Sequence, residues 1–128
     1  MNIKKSIITA TVGLTMVAMI APTLAGAVMV PANCTGVTFT RNLRVGSVGQ
    51  DVNCLQALLN TSASTQVAVT GAGSPGNETM YFSGRTYRAL VKFQEAHKES
   101  ILSPLDLQQG TGIFAQYSQK QIYNLAQF

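Results

Sequence analysis

Apolar residues recur at helical spacing in three stretches of this chain, and breaks rich in glycine and proline separate them. Val52, Leu55, Leu58 and Leu59 fall at three- and four-residue steps and form one stripe that ends near Asn60. Ser47 followed by Gln50 fits a capping box, in which the hydroxyl and the amide satisfy free backbone donors, so a helix is expected to start there. From Ser83 to about His97 the residues Thr86, Ala89, Leu90, Phe93 and His97 share one side of a second helix. Ser103-Pro104 and Gly110-Thr111-Gly112 then break the chain. A last helix is expected from about Tyr117 to Ala126 through Ile122 and Leu125.

The connections are less regular. Phe39 to Val45 alternates Phe39, Arg41 and Leu43 against Thr40, Asn42 and Arg44, a run too short to define a strand. Between the first two helices, Gly71, Gly73, Pro75 and Gly76 crowd into six residues. Gln66 to Val69 and Glu78 to Phe82 could pair across that turn as a small hairpin, and a structureless loop of such length is unusual. The fold class is therefore mainly α: a small three-helix bundle with a short β-hairpin or a long loop between helices 1 and 2. An internal echo supports this layout. Phe82 to Leu90 aligns with Phe114 to Ile122 at a constant offset of 32, with Phe93 above Leu125. Each copy places an aromatic residue before a helix start, and two copies are too few for a solenoid.

The N-terminus changes the compartment. Lys4 and Lys5 precede an apolar run from Ile7 to Ala21, and Ala25-Gly26-Ala27 fits a small-residue cleavage site, so residues 1–27 read as a signal peptide. Pro22 and the absence of a basic flank beyond the run argue against a membrane span of about 20 apolar residues. Residues 28–38 form an N-terminal arm and 39–128 a single domain. Without Lys4 and Lys5, seven basic residues face five acidic ones, which is too weak a basic balance to predict nucleic acid as a partner. Cys34 and Cys54 are the only cysteines, and in an exported chain such a pair reads first as a disulfide tying the arm to the first helix. The competing reading, a cysteine thiolate partnered by His97, lacks any feature local to either cysteine that would lower the thiol pKa.

Two phrases carry a family resemblance. Gly46, Ser47, Gly49, Asp51, Val52, Leu55 and Gln56 match the first, and Phe82, Thr86, Ala89, Phe93 and Gln94 the second, with Ser83 and Leu90 standing in for the usual Gly and Val. Gly112, Phe114, Ser118, Ile122 and Leu125 repeat the pattern more weakly. In this order the phrases resemble the peptidoglycan-binding domain of bacterial cell-wall proteins, over about Phe39 to Leu125. The resemblance implies a three-helix module that binds cell-wall polymer without cofactor or catalysis. The region between helices 1 and 2 and the cysteine pair depart from the minimal pattern.

Most matched positions have a structural explanation first. Leu55, Leu58, Leu90, Phe93, Ile122 and Leu125 are the expected core, and Gln56 and Gln94 are expected to bond loop backbone. Ligand contacts are sought beside them. Peptidoglycan offers carboxylates, amides and N-acetylated sugars, which call for forked cations, amide partners and flat rings. Arg85, Arg88 and Lys92 make one basic stripe on the second helix, near Tyr81 and Tyr87, and Tyr117 and Tyr123 take comparable places on the third. The candidate ligand residues are Tyr81, Arg85, Arg88, Lys92 and Tyr117, although a charge stripe is more often simply a solvated helix face.

Catalysis lacks parts. His97 is the only histidine, whereas a zinc hydrolase needs several ligands. Glu78 sits in the glycine-rich stretch, and Glu95 and Glu99 are expected to pair with Lys92 and Lys98 instead of converging on a glycosidic bond. The expectation is a secreted or envelope-located, non-catalytic wall-binding module, with a separate wall enzyme or envelope protein as a further partner. The alternative is a structural surface protein that uses the same fold for protein contacts or self-assembly.

Overall fold

Helix α1 spans Gln50–Leu59, α2 Gly84–Ala96, α3 Lys98–Ile101 and α4 Gln116–Ala126 in the computed structural model, which describes residues 29–126. The chain is mainly helical, and the expected leader at residues 1–27 lies outside the described residues. The three longer helices fall where the apolar periodicity puts them. Leu55, Leu58, Leu90, Phe93 and Ile122 are buried together, and Leu125 packs half-buried against them. Between α2 and α4 the chain adds α3 and a 3-10 turn at Ser103–Leu105, with Ile101 and Leu102 buried in the core.

Cys34 and Cys54 form the expected disulfide. It holds the short 3-10 turn at Ala32–Cys34 against α1, where Asn33 also donates to Asn53 Oδ1 at 2.7 Å and Gln50 donates to the Asn33 carbonyl at 3.0 Å. Closing a loop of this size stabilises a small fold by about 3 kcal/mol in the chain-entropy view.

Two expectations fail locally. Ser47 does not cap α1: its Oγ accepts from the Arg44 N–H at 3.0 Å, and Gly49 takes the cap position without a side-chain bond. The reason is that Ser47 is committed to a tight turn, with its own N–H on the Arg44 carbonyl and its carbonyl receiving the Phe82 N–H. The region between α1 and α2 is a long loop, with no strand among the described residues. Its would-be hairpin arms find other partners. The Asn60 side chain, at the end of α1, accepts from the Val67 N–H at 2.9 Å and donates to the Gly73 carbonyl at 2.9 Å and to Glu78 Oε1 at 2.9 Å. Tyr81 instead bridges antiparallel to Val48, and Phe114 to Leu43.

That pairing brings the 32-residue echo into three dimensions. The segment before α1 bonds the backbone of Phe82 through Gly46 and Ser47, and the backbone of Phe114 through Leu43, and both phenylalanine rings are fully buried. A buried glutamine braces each copy. Gln56 Nε2 donates to the Tyr81 carbonyl and Thr86 Oγ1, both at 3.0 Å, with Thr79 Oγ1 at 3.2 Å, and Oε1 receives the Thr79 N–H at 2.7 Å. Gln94 Nε2 donates to the Ile113 carbonyl at 2.9 Å and Ser118 Oγ at 3.1 Å, with Thr111 Oγ1 at 3.2 Å, and Oε1 receives the Gly112 N–H at 2.9 Å. Thr79, Tyr81 and Thr86 stand 32 residues before Thr111, Ile113 and Ser118. Each glutamine thus ties the loop ahead of the next long helix to that helix's first turn, and satisfying every buried polar group is what makes such a frame rigid.

Candidate functional site

The first frame supports an open groove of about 560 Å³, lined among others by Ala72, Gly73, Tyr81, Arg85 and Arg88. Its floor includes Gln56 and Thr79, and Ser83 and Gly84 bring in the start of α2. Ser83 begins that helix because its Oγ accepts from the Thr86 N–H at 3.4 Å. The Arg88 Nη1 reaches back over the start of α2, 3.8 Å from where a β-carbon on Gly84 would stand, an ordinary van der Waals contact. Arg85 and Arg88 also line a second, shallower groove of about 300 Å³ against Val67 to Thr70, so they form the ridge between two depressions.

The cations on this ridge differ from the other well-placed arginine. Arg41 forks Asp51, with Nε at 2.8 Å from Oδ2 and Nη2 at 2.9 Å from Oδ1, and also donates to the Val48 carbonyl. Its guanidinium holds the Asp51 carboxyl below the usual carboxylate range. Arg85 and Arg88 have no side-chain hydrogen bond or ion pair to any described residue, and no described carboxylate lines the larger groove.

The structure brings together Tyr81, Arg85 and Arg88 of the residues singled out from sequence. Lys92 is exposed one turn further along α2 and does not line the groove. Tyr117 is half-buried elsewhere, against the core and over the second frame. Tyr87 packs its ring onto Gly112, whose positive φ and missing β-carbon make that approach fit. Tyr123 receives the Phe39 N–H on its hydroxyl at 3.0 Å, away from the groove. The expected pairing of Glu95 and Glu99 with Lys92 and Lys98 is absent among the described residues. Glu95 accepts from the Gly110 N–H instead, and Lys98 donates to Gln108. Glu78 is occupied by Asn60 and the Gly76 N–H.

Ala72, Gly73, Thr79 and Ser83 line the groove without being among the candidate ligand residues of the sequence. The pair Thr79 and Thr111 carries a signal, since the 32-residue echo continues three residues upstream of Phe82 and Phe114. Ala72 and Gly73 reach the groove only through the folding of the loop around Asn60, for which no periodicity exists.

The same place over the second frame is filled. Gln94, Thr111, Ile113, Ala115 and Tyr117 surround a remnant of about 40 Å³, because Ile101, Leu102 and Leu105 from the added segment sit on it. His97 lies apart from both frames. Its ring rests on Phe93 with centroids 4.7 Å apart, Nδ1 is 3.2 Å from Gln121 Nε2, and burial pushes its pKa below the ordinary value. Cys54 is fully buried in the disulfide. Comparison of the chain with protein-family models, curated proteins and solved structures returns no match.

Proposed function

We propose that the protein is an exported, non-catalytic module that binds bacterial cell-wall peptidoglycan through the groove over Gln56. One observation carries this reading: of two frames built alike, one is plugged by apolar side chains and the other is left open, with two guanidiniums on its rim that pair with no described residue. A folded chain gains stability by closing such a depression, so one left open and cationic favours a ligand role. The two sequence phrases and the leader-like N-terminus give the ligand class. The test is co-sedimentation of the protein with purified insoluble peptidoglycan. Retention in the pellet at physiological salt is expected, and complete recovery in the supernatant contradicts the proposal.

A second reading, assembly with copies of itself or with another envelope protein, draws on Val45, Val48 and Met80, which are exposed beside the groove. Light scattering tests the self-assembly part of this reading, since a monomer at high concentration that still sediments with the wall counts against it.

A further inference from the structure

The lining of the groove favours one part of the wall polymer over the others. Resting on the wall-binding reading, we infer that the groove takes the peptide stem by a free carboxylate, with Arg85 and Arg88 as the anion clamp and the Ala72–Gly73 stretch receiving small apolar side chains. Three features carry this choice. First, the two arginines stand three residues apart on α2, which puts them side by side on one face, and neither is engaged by a described acidic residue. A guanidinium presents a planar fork that matches a carboxylate in two-point geometry.

Second, the groove is poor in what a glycan needs. Gln56 is the only amide side chain in the lining, and its oxygen and nitrogen are already committed to Thr79, Tyr81 and Thr86. Tyr81 is the only aromatic residue there, about half exposed, and the chain contains no tryptophan. Sugar rings would find one flat face and no free side-chain amide in the lining.

Third, most of the groove's exposed surface is apolar, and Ala72 and Gly73 bring no bulky side chain to it. That suits a short peptide with methyl-sized side chains and an anionic group. A multiply charged phosphate polymer would bring a hydration shell that the apolar surface cannot replace.

The test compares untreated peptidoglycan with the same material whose carboxylates have been converted to methylamides by carbodiimide and methylamine. The protein is expected to bind the amidated material ~10-fold more weakly, as removal of one charge-assisted hydrogen bond predicts. A synthetic stem tetrapeptide with free carboxylates should displace it from untreated wall, and the fully amidated tetrapeptide should not. Arg85→Ala and Arg88→Ala should each weaken retention ~10-fold and erase the contrast between the two wall preparations, whereas Lys92→Ala should leave that contrast intact. Equal retention on both preparations overturns the carboxylate assignment while the wall-binding reading stands. So does displacement by inorganic phosphate at a concentration where the free-acid peptide has no effect. Failure to bind untreated wall overturns the wall-binding reading and, with it, this inference.

Discussion

The frames around Gln56 and Gln94 use the same parts to reach opposite surfaces. Each has a buried glutamine, a threonine ahead of a fully buried phenylalanine, and a hydroxyl residue in the first turn of the following helix. They part company in the chain between glutamine and threonine. After α2, that chain forms α3 and a 3-10 turn and drops Ile101, Leu102 and Leu105 onto the frame. After α1, it is drawn towards the Asn60 side chain and offers only Ala72 and Gly73 to the groove. The difference teaches that the glutamine frames explain the fold, while the inserted chain decides whether a depression remains for a ligand.

Substitutions at matched positions can break or sharpen that comparison. The largest effect is expected from the plug: Leu102→Ala removes a fully buried side chain and should cost about 3 kcal/mol in urea unfolding. Ala72→Ser, exposed in the lining of the open groove, should change stability by about 0.5 kcal/mol or less. Comparable losses for the two variants would mean that the first frame is no more open than the second. Gln56→Ala and Gln94→Ala should each cost about 2 kcal/mol, because each strands several buried donors and acceptors. Near-equal losses support equivalent frames, and a tolerated change at one of them argues against equivalence.

Helix starts give a reciprocal pair. Ser83→Ala deletes the cap of α2 and should cost about 1 kcal/mol, while Ala115→Ser supplies the missing hydroxyl 32 residues later and should stabilise by about 0.5 kcal/mol. Thermal melts of both variants and of the combined swap read this directly. The smallest effect separates the helix ends, where Asn60 closes α1 and His97 closes α2. Burial keeps the His97 pKa below 6.5, so the unfolded chain takes up this proton first as pH falls. The stability that depends on neutral His97 is complete above the unfolded value and declines as pH drops from there through the lower folded value. His97→Gln should flatten this part of the melting-temperature profile as pH falls below about 7.5, and an unchanged slope would assign the decline to other groups.

Helical periodicity made the three longer helices legible because each buries one apolar stripe, and the cysteine pair made the arm's attachment legible. Gln56 and Gln94 were readable as backbone partners because each follows a core residue. The loop between α1 and α2 was not readable, since its shape depends on one asparagine side chain reaching three separated partners. Ser47 misled for a related reason: the same hydroxyl that could cap a helix serves a turn when the chain must first pair with Phe82. The basic stripe was visible as a spacing, but only the fold separates Arg85 and Arg88 at the groove from Lys92 beyond it, and places Tyr117 over the other frame.

The most direct measurement sets the frames against each other in wall binding. Arg85 and Arg88 correspond, 32 residues on, to Tyr117 and Lys120. Dissociation constants from co-sedimentation with insoluble peptidoglycan should rise by ~10-fold for the Arg85→Ala, Arg88→Ala double variant, since both guanidiniums act on one carboxylate and loss of either already removes its recognition. The Tyr117→Ala, Lys120→Ala double variant should bind as the unaltered protein does. Undiminished binding by the arginine variant, or a larger loss in the second, would contradict the assignment of ligand binding to the open frame.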